Sequence, residues 1–99
     1  MSRYQLEYLL TAEREILKAE DDLYAYSPPA ADKFEVAIAR QEAFLTDNPF
    51  MYPVYEERPY FRHMGLPYGY LCFYHVDEEA GLITVYRVLH SMRDIPSIL

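Results

Sequence analysis

"YGYLCFYHVDEEAGLITVYRVLH", residues 68–90, decides the fold. Two runs rich in aromatic and β-branched residues, 68–76 and 82–90, flank the five-residue stretch "DEEAG" at 77–81. Such runs favour pleated, half-buried strands, and a short polar loop with Gly near its end joins them as an antiparallel hairpin. Just before them, "YFRHMGL" at 60–66 reads as a shorter strand that stops at Gly65 or Pro67. The three make a meander.

Working back towards the N-terminus, residues 49–60, "PFMYPVYEERPY", hold three prolines among several aromatics. That is too much proline for an inner strand and too much aromatic surface for a free linker, so an ordered loop across the domain surface is expected. Upstream the period becomes helical. Ala31, Phe34, Ile38 and Leu45 mark the inner stripe of one helix, started by Ser27 as cap with Pro28 in the first turn and ended by "TDNP". Ala12, Ile16, Ala19, Leu23 and Tyr26 mark the stripe of another, with Thr11 as its N-cap and Glu13 and Glu15 in its first turn. So short a joint makes an antiparallel helix hairpin. First of all comes "RYQLEYLL", where Tyr4, Leu6, Tyr8 and Leu10 alternate with Arg3, Gln5 and Glu7 as in a half-buried strand. The order strand, helix, helix, strand, strand, strand predicts an α+β domain. The helix hairpin covers one face of a mostly antiparallel sheet, and the other face stays partly open. Where the first strand joins the sheet does not follow from the pattern.

Ninety-nine residues make one domain, 1–99. An apolar fraction of 52%, with eleven Tyr and five Phe, excludes a disordered acidic chain. The net charge is −7, and all of that excess falls in residues 1–57; residues 58–99 balance. A surface of that sign argues against general nucleic-acid binding. Glu13, Glu20 and Asp21 read as a solvated helix face. The single cysteine, Cys72, sits within "YLCFY" and reads as a small buried hydrophobe. No apolar run approaches the ~20 residues that span a bilayer, and the start of the chain shows no secretory cleavage pattern, so the cytoplasm is the expected compartment.

No glycine-rich phosphate loop is present. His63, His75 and His90 lack paired ligand spacing, so neither metal nor cofactor is expected. The chemistry-bearing feature is "RVLHSMRD", residues 87–94, a positive cluster in an acidic chain. Arg87, His90 and Arg93, joined by Arg62 from a neighbouring strand, are expected to form one local site, with the acidic helices on the far side of the sheet. Arginine offers forked donors to phosphate or carboxylate, and histidine titrates near neutrality. The structural alternative pairs Arg87 with Glu78 or Glu79 across a strand and lets His90 cap a carbonyl. Tyr74 and Tyr86 read as sheet packing.

The segments "YSPPAADKF", "NPFMYP", "FRHMGLPYGYLCFYHVD" and "ITVYRVLHSMRD" together resemble the RelE/ParE superfamily of toxin–antitoxin toxins, or plasmid stabilisation proteins, and the ending is most similar to the ParE branch. The resemblance spans Tyr4 to Asp94. It implies the fold just read, a cognate antitoxin as partner and a growth-inhibiting toxin. ParE-like members bind and inhibit DNA gyrase and need no chemistry of their own; RelE-like members cleave messenger RNA on the ribosome. On that likeness Arg62, Arg87 and Arg93 bind the target, and His90 is catalytic only in a ribonuclease. Ribonuclease members often carry a catalytic arginine where this chain has Leu71, which favours the ParE reading. The acidic balance departs from the commonly basic family and gives weight to a third possibility, a non-toxic interaction module.

Overall fold

The computed structural model describes residues 4–99, so the expected outward position of Arg3 lies outside the described residues. Strand β1 (Gln5–Tyr8) leads into helices α1 (Leu10–Tyr26) and α2 (Pro28–Asp47). Strands β2 (Arg62–Leu66), β3 (Tyr70–Asp77) and β4 (Leu82–His90) follow, and a last turn, α3 (Ile95–Ile98), closes the chain. The sheet order is β1-β4-β3-β2. The meander is antiparallel, and β1 lies outside it, parallel to β4, with Leu6 opposite Ile83 and Tyr8 opposite Val85.

The helix hairpin packs on one sheet face. Ala12, Ala19, Leu23, Ala30, Ala31, Phe34 and Leu45 from the helices meet Met64, Leu66, Cys72, Tyr74, Ile83, Val85 and Val88 from the strands. Both stripes follow the expected spacing, with Ile16 and Ile38 at their half-buried margins. Three details differ. Leu10 opens α1 instead of ending β1 and is 60% exposed. The α1 cap is Leu9, not Thr11, and neither Leu9 nor Ser27 makes a side-chain capping bond. Tyr26, the last residue of α1, is 81% exposed and does not join the core stripe.

The other sheet face carries more cover than expected. Phe73, Leu89 and Ile95 form a second buried cluster under Tyr55 and Phe61 of the proline-rich loop and Ile98 and Leu99 of the C-terminus. The loop is pinned by the bridge between Val54 and Arg62 and by the His63 N–H donating to the Pro53 carbonyl.

One irregularity sets which residues face which way. Phe73 lies opposite Arg87, but Tyr74 lies opposite Val85, so Tyr86 is a bulged residue without a partner. Ile83 and Val85 face the helices; after the bulge Val88 and His90 do so. Arg87 and Leu89 are left on the other face.

Candidate functional site

β1 covers β4 only as far as Val85, where the Leu9 N–H donates to the Val85 carbonyl. Beyond that point the edge of β4 is open and α1 runs past it. Glu15 of α1 fills the gap. Its carboxylate accepts the Val88 N–H at 3.0 Å and two bonds from Arg87, Nε at 3.1 Å and Nη2 at 2.7 Å. Arg87 Nη1 donates to the Ile98 carbonyl at 2.6 Å. The pair is largely buried, 25% and 18% exposed, and the Glu15 bond raises the Arg87 pKa further above its ordinary value. Arg87 therefore ties helix, sheet edge and C-terminus together. Its expected cross-strand partners, Glu78 and Glu79, belong to the distant hairpin loop.

Arg62 is also engaged locally. Its Nη1 donates to the Tyr52 carbonyl at 2.7 Å, and the guanidinium lies 5.1 Å over the Phe50 ring. Lying opposite Tyr74, Arg62 faces the helices, whereas Arg87, lying opposite Phe73, faces away. Arg62 and His90 share a face but stand four registers apart, ~13 Å at 3.3 Å per residue along the strands. The four expected residues therefore do not converge on one site.

Two of them do stand together. Past the open β4 edge, His90 and Arg93 join Thr11, Arg14, Lys18, Asp22 and Tyr70 around a groove of about 380 Å³. Its carboxylates are already matched: Glu15 by Arg87, and Asp22 by Lys18 at 2.7 Å. Among the described residues the side chains of Arg14 and Arg93 have neither a hydrogen bond nor an ion pair, and both are exposed. The groove is thus locally cationic, with two guanidinium forks free to bind an anion. The expectation that the sheet would separate the site from the acidic helices is not met, because α1 is one of the groove's walls. The sequence signal for Arg14 and Lys18 was available: with Thr11 they recur at spacings of three and four, a polar stripe on one flank of α1.

His90 is held from three sides. Its ring lies edge-on to Tyr70 at 5.1 Å, and Nδ1 accepts the Met92 N–H at 3.1 Å. Accepting that bond requires the neutral ring to carry its proton on Nε2. Tyr68 and Gly69, both in the left-handed region with φ of 65° and 80°, turn the chain tightly enough to bring Gly69 against Nε2; a Cβ there would lie 3.1 Å away. His90 thus turns Nε2 towards Gly69, and its one lone pair is committed to the Met92 N–H. Leu71 lies between Gly65 and Leu89 and packs with the second cluster. Cys72 is fully buried, which pushes its pKa up to about 12 and leaves an inert thiol. Among the described residues no group of His, Cys, Asp and Glu could hold a metal, and no helix is long and apolar enough to cross a membrane.

No curated protein matches this sequence. Solved structures do share the fold. The chromosomal ParDE system of P. aeruginosa superposes with a TM-score of 0.73 at 18% identity, over 89% of this chain and 96% of that one. The RelBE2 toxin–antitoxin complex of Mycobacterium tuberculosis gives 0.63 at 20% identity, over 91% and 93%. The family described as ParE toxin of type II toxin-antitoxin system, parDE, matches residues 6–95. That match covers α1 and α2, β2 to β4, all of β1 but its first residue, and the groove from Thr11 to Arg93. The chain belongs to the ParE toxin family of type II toxin–antitoxin systems.

Proposed function

We propose that this chain acts as a toxin by binding DNA gyrase, without chemistry of its own, and that a cognate antitoxin neutralises it. The observation that carries this reading is the groove between α1 and the open end of β4. It offers Arg14 and Arg93 as unmatched forks. No side chain there is poised as a general base: the lone pair of His90 is taken by the Met92 N–H. The position expected of a ribonuclease arginine is Leu71, packed in the second cluster. An arrangement rich in donors and poor in bases suits recognition of an acidic surface better than abstraction of a ribose proton. Arg87 serves this site indirectly, by fixing the β4 edge beside it, whereas Arg62 fixes the proline-rich loop away from it.

Expression of the chain alone, followed by gyrase supercoiling and messenger RNA cleavage assays, tests the reading. Growth inhibition with blocked supercoiling and intact messages is expected. Arg14→Ala with Arg93→Ala should relieve the block in a folded protein. If messages are cut instead, and His90→Ala removes the cutting, the chain is a ribonuclease and the gyrase reading fails.

A further inference from the structure

The open end of β4 offers main chain as well as side chains. A strand residue turns its N–H and C=O to the same side, and that side alternates along the strand. The Val88 N–H leaves the sheet to meet Glu15, so the Val88 carbonyl and, two residues on, the His90 N–H also point out of this edge. β1 has ended by then, and among the described residues neither group has a hydrogen-bond partner. Leu89 lines the groove although its side chain lies in the second cluster, 1% exposed; what it brings to the groove is main chain. One wall of the groove is therefore a strand edge, with Arg14 and Arg93 beside it.

Two bonds already made fix the direction of any strand that adds there. An antiparallel partner exchanges both its bonds with a single residue. That is closed at Val88, whose N–H is held by Glu15 at 3.0 Å, and at His90, whose carbonyl accepts the Arg93 N–H at 3.0 Å. A parallel partner instead uses the carbonyl of one residue and the N–H of the residue two further on. Those are the two groups left free, and β1 itself runs parallel to β4.

We propose that this groove takes a short acidic segment in extended form, parallel to β4 and continuing the position of β1 in the sheet. Its central residue donates its N–H to the Val88 carbonyl and accepts the His90 N–H. The residues before and after it share the face of Val88 and His90, where Asp or Glu meets Arg14 and Arg93. Charge selects this occupant over a basic segment. The main chain selects it over a nucleic-acid strand, since a phosphodiester has no donor for the Val88 carbonyl. Glu15 does not repel it, being matched by Arg87. On the reading of this groove as the toxin's target site, from which the partner's identity follows, the segment belongs to the target; the pairing does not depend on that reading.

The probes are three short end-blocked peptides and a single-stranded DNA oligonucleotide of equal charge. The first peptide has Glu on either side of a central Val, the second is the same with that Val N-methylated, and the third has Lys for Glu. Binding to the full chain is read from backbone amide resonances near physiological salt. The Glu peptide should bind, move the His90 amide signal and slow its hydrogen exchange. N-methylation removes one donor and keeps the charge; it should weaken binding at least tenfold. The Lys peptide and the oligonucleotide should not bind. Arg14→Ala with Arg93→Ala should weaken the Glu peptide at least tenfold, with the fold confirmed by circular dichroism; Arg14→Gln with Arg93→Gln replaces it if it does not fold. No binding by the Glu peptide, an unmoved His90 amide, equal binding by the N-methylated peptide, or equal binding by the oligonucleotide overturns the proposal. Expression alone is a separate readout. Growth inhibition without peptide pairing keeps the toxin reading and sinks the strand, whereas pairing without growth inhibition does the reverse.

Discussion

Glu15 shows how much of this fold hangs on one side chain. It satisfies a strand-edge N–H that β1 does not reach, and it holds the arginine that in turn holds the C-terminal turn. Hydrogen bonds to charged groups are worth about 1.5–3 kcal/mol each when removal strands the partner. Glu15→Ala should therefore lower stability in urea by about 2–3 kcal/mol, and Arg87→Ala by a similar amount. The double variant should cost clearly less than the sum, since each single change strands the other member of the same pair. Additive losses would mean the two act separately. Sequence reading found Arg87 but not this role, because Glu15 lies 72 positions away and only the missing stretch of β1 brings it near. Cys72, by contrast, was legible from its apolar neighbours. Its buried thiol ionises only at about 12, against an ordinary value of 9.0, and Tyr74 is likewise pushed up to about 12 from 10.0, chiefly by burial. For such acids the unfolded chain loses its protons first. The stability they confer is whole below pH 9 and drains away as pH rises towards 12. Urea midpoints should fall across that window, less steeply in Cys72→Ala once its own cavity cost at neutral pH is subtracted. An equally steep fall would assign the alkaline loss elsewhere.

At the scale of elements, periodicity located both helices and all four strands. It did so because each element buries one face, and burial leaves its period in the sequence. What it missed has two physical sources. Parallel pairing of β1 with β4 depends on which edge the returning chain can reach, and strand residues carry no mark of that. The bulge at Tyr86 is the other: a strict alternation through "LITVYRVLH" puts Arg87 on the face of Ile83 and Val85, and one extra residue reverses it. The turn between β2 and β3 also matters beyond its length, since Tyr68 and Gly69 together aim the chain at His90. Gly69→Ala meets both a left-handed φ of 80° and a 3.1 Å approach to His90 Nε2. It should cost about 1–2 kcal/mol. It should also displace the imidazole, read as a chemical-shift change at His90 and loss of protection at the Met92 amide. An unmoved His90 signal would show that the turn gives way instead of the ring.

Across the whole molecule the charges sort by groove more than by half of the chain. One flank of α1 turns Arg14 and Lys18 to the groove at the β4 edge, and the other turns Glu13 and Glu20 to α2. The net charge of −7 still governs approach from a distance, because at low salt the Debye length, ~30 Å at 0.01 M, exceeds the 22 Å thickness of the molecule. An anionic target then meets repulsion before it can meet Arg14 and Arg93. At physiological salt the length shrinks to ~8 Å, the distant carboxylates fade, and the two arginines act almost alone at contact. On the proposed gyrase reading, the expected signature is a rate of association with the target that rises severalfold with added salt, opposite in sign to a basic toxin steered onto its target. The rate of dissociation should rise too, as contact pairs weaken. Charge reversal of Glu13, Glu20 and Asp21 together should flatten the dependence of association on salt while leaving dissociation, folding and growth inhibition nearly unchanged. Arg14→Ala with Arg93→Ala should do the converse, speeding dissociation and keeping the slope of association. If association instead slows with salt in the parent protein, the cationic groove dominates even at long range, and the acidic helices have no part in the approach.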